Sequence, residues 1–172
     1  GIIAPGLGKI GSIGSGGVSQ VFTSGPVGVI SKSGGMTSEM AVILTRAGLG
    51  QSTAVGIGGD QIIGSDFVDI LELFETDAQT QAIVIFGEVG GSYEERVAEY
   101  VSAGTLTKPI VAIIGGKFTS RLTQGTVLGH AGAIVGRGQG SYDSKVTSFQ
   151  RAGITVAESL EEIPKIIRTI LS

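Results

Sequence analysis

Apolar residues along this chain follow two rhythms. Short, mainly apolar runs at 27–31, 52–57, 82–87, 110–115 and 154–157 have strand length and are rich in Val, Ile and Ala, as expected of strands buried on both faces. Elsewhere the apolar residues return every three or four positions, the spacing that keeps one face of a helix dry. Met36, Met40, Ile43, Leu44 and Ala47 make one such stripe, and Gly48 follows where a left-handed C-terminal cap belongs. Phe67, Ile70, Leu71 and Phe74 make a second. Ser92 with Glu95 has capping-box spacing and predicts a third helix running towards Ser102. Ser159 with Glu162 repeats that spacing ahead of Ile163, Ile166, Ile167 and Ile170, which predict an amphipathic C-terminal helix.

Strands alternating with helices predict βαβ units. With right-handed crossovers they give an α/β, flavodoxin-like, doubly wound and mainly parallel five-stranded sheet with helices on both faces, whose ligands gather at the carboxyl ends of the strands. The rhythm fails between Gly116 and Gly140, where no period is sustained; a long loop of this kind inside a compact domain is usually functional. It is also weak over the glycine-rich opening, so residues 1–25 are expected to precede a folded domain at 26–172. The chain begins at Gly1 without methionine or a basic leader and is expected to be a piece of a longer cytoplasmic polypeptide.

Composition sharpens this picture by exclusion. Of the 172 residues, 41% are hydrophobic but only 5% aromatic, so the core must be built of Ile, Val, Leu and Ala. The 30 glycines cluster at the ends of apolar runs, where they serve turns and close approaches. With no cysteine and a single histidine, the chain has no disulfide framework, thiolate metal site, cysteine nucleophile or histidine-rich metal centre. Its apolar runs are far shorter than the roughly 20 residues that span a bilayer, and its net charge of -3 with scattered Lys and Arg argues against a nucleic-acid surface.

Several motifs invite chemistry. Gly6, Gly8 and Gly11 fit G-x-G-x-x-G, but that fingerprint must follow a strand and open a helix, and more glycine follows here. Gly115-Gly116-Lys117 resembles the end of a P-loop, yet Val111 and Phe118 occupy positions that require Gly and Ser or Thr. No G-x-S-x-G elbow occurs. Ser33, Gly34 and Gly35 join the first predicted strand to the first predicted helix, presenting free N–H groups and a positive helix end to a phosphate; an ordinary turn with a serine cap has the same pattern. Glu88 ends the third strand, where it can orient an imidazole and fix its tautomer; it reads equally as a solvated acid near a capped helix. His130 lies between small residues in Gly129-His130-Ala131-Gly132-Ala133, a nucleophile near neutral pH or a plain polar surface residue.

Taken together, Val27-Gly-Val-Ile-Ser-Lys-Ser-Gly-Gly, the run from Gly50 through Gly-Ile-Gly-Gly-Asp to Phe67, Gly87-Glu-Val-Gly-Gly-Ser and Gly129-His-Ala-Gly-Ala-Ile closely resemble the alpha subunit of succinyl-CoA synthetases. The four motifs occur in the family's order over nearly the whole chain. The resemblance implies that His130 is phosphorylated, that Glu88 supports its ring, and that the turn at Ser33, Gly34 and Gly35 meets the phosphate. It implies an acid–thiol ligase interconverting succinate, CoA and ATP or GTP, with Mg2+, and succinyl-CoA, nucleoside diphosphate and phosphate.

The same resemblance implies partners outside this sequence: an amino-terminal Rossmann-like CoA-binding domain, and a beta subunit with an ATP-grasp nucleotide site and a second helix start. The fragment alone is expected to be inactive and to bind no cofactor tightly. The stretch 116–128 lacks the Pro-Lys-Gly-Lys-Arg-Met-type run often seen before the histidine, which signals a divergent lineage or a related acid; ADP-forming acetyl-CoA synthetases and ATP-citrate lyases use similar domains. A non-catalytic binding or assembly module of the same fold is the alternative class, and an NAD-linked oxidoreductase would need nicotinamide binding at Gly6–Gly11.

Overall fold

Parallel strands in the order second, first, third, fourth, fifth form the centre of the structure, a computed structural model that describes residues 1–14, 18–60, 62–121 and 140–172. In chain order the strands are β1 (Ile2–Ala4), β2 (Gly8–Ile10), β3 (Ser24–Ser31), β4 (Gln51–Gly56), β5 (Ala82–Glu88), β6 (Ile110–Gly115) and β7 (Thr155–Val156). The helices are α1 (Val18–Val21), α2 (Gly34–Arg46), α3 (Phe67–Thr76), α4 (Tyr93–Ser102), α5 (Tyr142–Arg151) and α6 (Ile163–Leu171). The sheet runs β2-β1-β4-β3-β5-β6-β7. Its last five members are parallel and correspond to the five expected strands.

Among the described residues the sheet has seven strands rather than five. The glycine-rich opening folds into the β1–β2 hairpin, which pairs antiparallel with β4 through Ile2↔Val55 and Ile3↔Ala54. The glycines of the apparent G-x-G-x-x-G therefore sit in and around a hairpin, and residues 11–14 are not helical, so the motif does not open a helix and the dinucleotide reading loses its context.

Because successive strand residues point to opposite faces, the apolar runs feed two cores at once. On one face Val27, Val29, Ala54, Val84 and Val111 pack with Met40, Ala41 and Leu44 of α2 and Ile163 and Ile167 of α6. On the other, Ile30, Val55, Ile83, Ile85 and Ala112 pack with Phe67, Ile70, Leu71 and Phe74 of α3, Val97 of α4 and Phe149 of α5. The result is three layers, helices on sheet on helices.

Helix boundaries follow local chemistry. Ala47 ends α2 and Gly48 turns the chain back at φ 73°, the expected left-handed cap. Asp66 opens α3 with a true capping box, its carboxylate accepting from Val68 and Asp69 while Asp69 accepts from the Asp66 N–H. The two boxes expected from sequence do not form. Ser92 begins α4 without a side-chain cap bond, and Ser159 likewise makes none. The Glu162 carboxylate accepts from the Glu158 N–H instead, and Glu95 turns inward to pair with Lys145. Two further elements lie where periodicity gave no signal: α5, and a 3-10 turn over Lys117–Arg121.

Candidate functional site

The loops that follow β3, β4, β5 and β6 all leave from the carboxyl ends of the parallel strands, and these carry the sequence motifs. Ser33, Gly34 and Gly35 lie after β3, the Gly-Ile-Gly-Gly-Asp run after β4, and Glu88 at the last position of β5. Strand β5 is the hydrogen-bonded neighbour of β3, with Ser31↔Phe86 in register, so the predicted phosphate turn and Glu88 stand on adjacent strands. His130 lies outside the described residues, in the connection between Arg121 and Gly140.

The turn into α2 is held from below and open above. Ser31 Oγ donates to the Ser33 carbonyl at 2.8 Å and accepts from the Ser33 N–H at 3.0 Å. Thr37 adds its hydroxyl and its N–H to that same carbonyl, at 2.8 and 2.9 Å. Ser33 Oγ accepts from the Met36 N–H at 3.4 Å, so the serine caps the helix. Gly34 and Gly35 belong to the first turn, whose N–H groups have no intrahelical acceptor. Both are exposed, and a side chain built on Gly34 would meet nothing within 4 Å. No acidic residue occupies this first turn, so the positive end of the helix dipole faces open space.

Lys32, immediately before that turn, does not add its charge to the open space. Its side chain is buried beneath the loop after β5, donating to Gly90 O at 3.2 Å and pairing with Glu94 at 2.9 Å, with its ammonium 5.3 Å from the centre of the Tyr93 ring. Glu94 is fully buried and also pairs with Lys145, which is itself fully buried in α5. Lys145 reaches Glu95 at 3.0 Å and the Gly91 carbonyl at 2.9 Å. Glu95 completes the cluster by accepting from the Gly140 N–H and the Ser144 hydroxyl, both at 3.0 Å. Those bonds take Glu95 away from the cap expected of it.

Two lysines and two glutamates therefore form a charge-balanced cluster inside the protein. Isolated, each would carry a severe desolvation penalty; together they are paired and fully hydrogen-bonded. Among the described residues no buried side-chain nitrogen or oxygen lacks a partner. Burial pushes the Glu95 carboxyl up, but the Gly140 N–H and the Lys145 ammonium outweigh it and hold the group below its ordinary value. Glu94 also fixes the start of the Glu88 turn, accepting from the Glu88 N–H at 3.1 Å. That approach needs Gly87, since a Cβ there would stand 2.8 Å from Glu94 Cγ and Oε1. Sequence reasoning found Glu95 in the wrong role and missed Lys32, Glu94 and Lys145 as a group.

A 2-1-3-4-5 parallel sheet with helices on both faces defines an α/β domain of the flavodoxin-like class. Residues 24–170 match the succinyl-CoA ligase like flavodoxin domain, and the chain belongs to that family. It is 42% identical to the succinate–CoA ligase [ADP-forming] subunit alpha 1 of Archaeoglobus fulgidus over 99% of this chain and 56% of that protein. An ADP-forming sulfoacetate-CoA ligase subunit of Bilophila wadsworthia is 39% identical over 90% of this chain and 52% of its own length. The ATP citrate lyase of Methanothrix soehngenii, solved with citrate and coenzyme A, superposes with a TM-score of 0.90 at 29% identity, covering 98% of this chain and 28% of that one. The chain thus spans about half the length of the curated relatives it matches.

Proposed function

We propose that this chain is the phosphohistidine-carrying domain of a succinate–CoA ligase alpha subunit, with His130 as the phosphorylated residue. The observation that carries the reading is the uncluttered start of α2 at Ser33, Gly34 and Gly35, on the strand next to the one ending in Glu88. The family relation to ligase alpha subunits supports it. Phosphoryl transfer asks a protein mainly for alignment and for dipoles aimed at dispersed negative charge, and an open helix start supplies both.

In this reading the acyl thioester of succinyl-CoA is cleaved by phosphate, giving succinyl phosphate and free CoA. An imidazole nitrogen of His130 then attacks the phosphorus; the bond to the succinate oxygen breaks, succinate leaves, and a nitrogen–phosphorus bond forms. A nucleoside diphosphate accepts the phosphoryl group, and the reverse sequence activates succinate. The turn at Ser33–Gly35 binds the phosphoryl oxygens, and Glu88 holds the imidazole in the tautomer whose free nitrogen faces phosphorus. Residues 26–172 carry the ligase chemistry, and residues 1–25, whose hairpin joins the same sheet, connect it to an amino-terminal CoA-binding domain. A beta subunit supplies the ATP-grasp site for ATP or GTP with Mg2+. The cytoplasm suits such an enzyme.

The test uses the full-length subunit assembled with its partner and given Mg2+ and γ-labelled ATP or GTP. Acid-labile, base-stable label is expected on the peptide containing His130, absent from His130→Asn and discharged by succinate plus CoA. An assembled complex that takes no label with either nucleotide overturns the reading. The sulfoacetate and citrate names among the relatives favour a second acid, so discharge by sulfoacetate or citrate in place of succinate would move the substrate while keeping the mechanism.

A further inference from the structure

We infer that Glu94 is a positioning residue for phosphoryl transfer, acting with Lys32, Lys145 and Glu95 as one buried unit; this rests on the function proposed above. Consider what the four charged side chains hold besides one another. Their remaining bonds go to the Glu88 N–H, the Gly90 carbonyl, the Gly91 carbonyl, the Gly140 N–H and the Ser144 hydroxyl. Four of these five are backbone groups at the carboxyl end of the sheet, and the fifth is in the first turn of α5, the helix that follows Gly140.

Three segments distant in sequence are thereby tied to one point. Lys32 directly precedes the open Ser33–Gly35 turn. Glu94 holds the N–H of Glu88, the residue whose side chain is assigned to the imidazole. Glu95 holds Gly140, where the described chain resumes after the stretch that includes His130, and the Gly90 N–H donates to the Gly140 carbonyl at 2.7 Å.

Stability alone gives little reason for such a cluster. A buried ion network is commonly no more stabilising than well-packed apolar residues of the same volume, and most buried side chains on both faces of this sheet are apolar. What an ion network supplies that apolar packing does not is directional anchoring of backbone groups at fixed distances. Phosphoryl transfer is sensitive to that, because a displacement of about 1 Å costs on the order of 100-fold in rate.

The decisive comparison is between Glu94→Gln and the charge-balanced pair Glu94→Gln with Lys145→Met, each in the full-length subunit assembled with its partner. The single change leaves two buried lysines facing one carboxylate and lowers the melting temperature. The pair restores electrostatic balance and with it most of the melting temperature. Positioning predicts that the pair still forms and discharges phosphohistidine at least tenfold more slowly than wild type, with KM for CoA and nucleotide within twofold.

If the rate returns with the melting temperature, the cluster is merely structural and the inference falls. Should neither variant fold, Glu95→Ala decides: Glu95 is the most exposed of the four, with 10% of its side chain accessible, so water can replace part of the lost contacts. A fivefold or greater fall in the labelling rate supports the inference, and an unchanged rate overturns it. No label on the wild-type complex would sink the proposed function and this inference together, whereas a labelled wild type with unimpaired variants sinks the inference alone.

Discussion

Helices α2 and α4 follow adjacent strands of one sheet and pack on its opposite faces, and their first turns are opposites. The α2 start contains Gly34 and Gly35, has no acidic residue and faces open space. The α4 start contains Glu94 and Glu95, both buried and both engaged. Each helix offers the same unpaired N–H groups and the same positive dipole end. One faces open space; the other carries the protein's own carboxylates in its first turn, where the buried lysines neutralise them. The contrast teaches that a helix start becomes a binding site by what the sequence withholds from it.

The largest effect should come from emptying the filled start. Glu94→Ala leaves Lys32 and Lys145 buried with Glu95 as their sole carboxylate in the cluster, and removing one partner from a buried ion network costs about 3–5 kcal/mol. Urea unfolding should show that loss. A cost under about 1 kcal/mol would mean that water enters the cluster freely, and the contrast between closed and open starts would fail.

Filling the open start is the reciprocal change. Gly34→Asp puts a carboxylate where the Cβ meets nothing within 4 Å, so no clash is expected and the dipole favours the new charge by about 0.3–1 kcal/mol. Stability should hold or rise slightly. Turnover of the assembled enzyme should fall about 100-fold, the usual penalty for losing one oxyanion-type contact. Unchanged turnover would show that the phosphoryl group binds elsewhere.

Much of this architecture was legible because burial on both faces writes long Val and Ile runs. The five parallel strands, the stripes of α2, α3 and α6 and the Gly48 cap followed from that. The β1–β2 hairpin was not legible, because its strands are three residues long and Leu7 and Ile10 are exposed, leaving no alternation to see. Helix α5 was missed for a sharper reason: its buried positions include Lys145 beside Phe149, and a lysine in a core position erases the apolar period. Had Lys145 been read as a buried residue four positions before Phe149, the search for its carboxylate would have led to Glu94 and Glu95. Instead the spacing of Ser92 and Glu95 suggested a cap, a local rule that lost to a long-range ion pair. The carboxyl-end placement of Ser33, Gly34, Gly35 and Glu88 was readable from topology alone.

The smallest effect is a pH dependence. In the folded protein Glu95 is held below its ordinary value near 4.5 despite its burial, because Gly140 and Lys145 favour the charged form. The folded state then binds fewer protons than the unfolded chain over the interval between the two values, so stability rises with pH there. The contribution is complete above about 4.5 and is lost as pH falls through the lower folded value. Glu75 and Asp77, lowered chiefly by the hydroxyls of Thr107 and Thr80, lose their contributions in the same direction, so wild-type unfolding alone cannot isolate Glu95. The difference between wild type and Glu95→Gln can. Urea midpoints measured from pH 7 to pH 3 should be farthest apart near neutrality and converge in acid, since a protonated Glu95 is electrically the same as the amide. Parallel curves would mean that Glu95 gains nothing from its charge, and the filled start of α4 would then be held by packing rather than by ions.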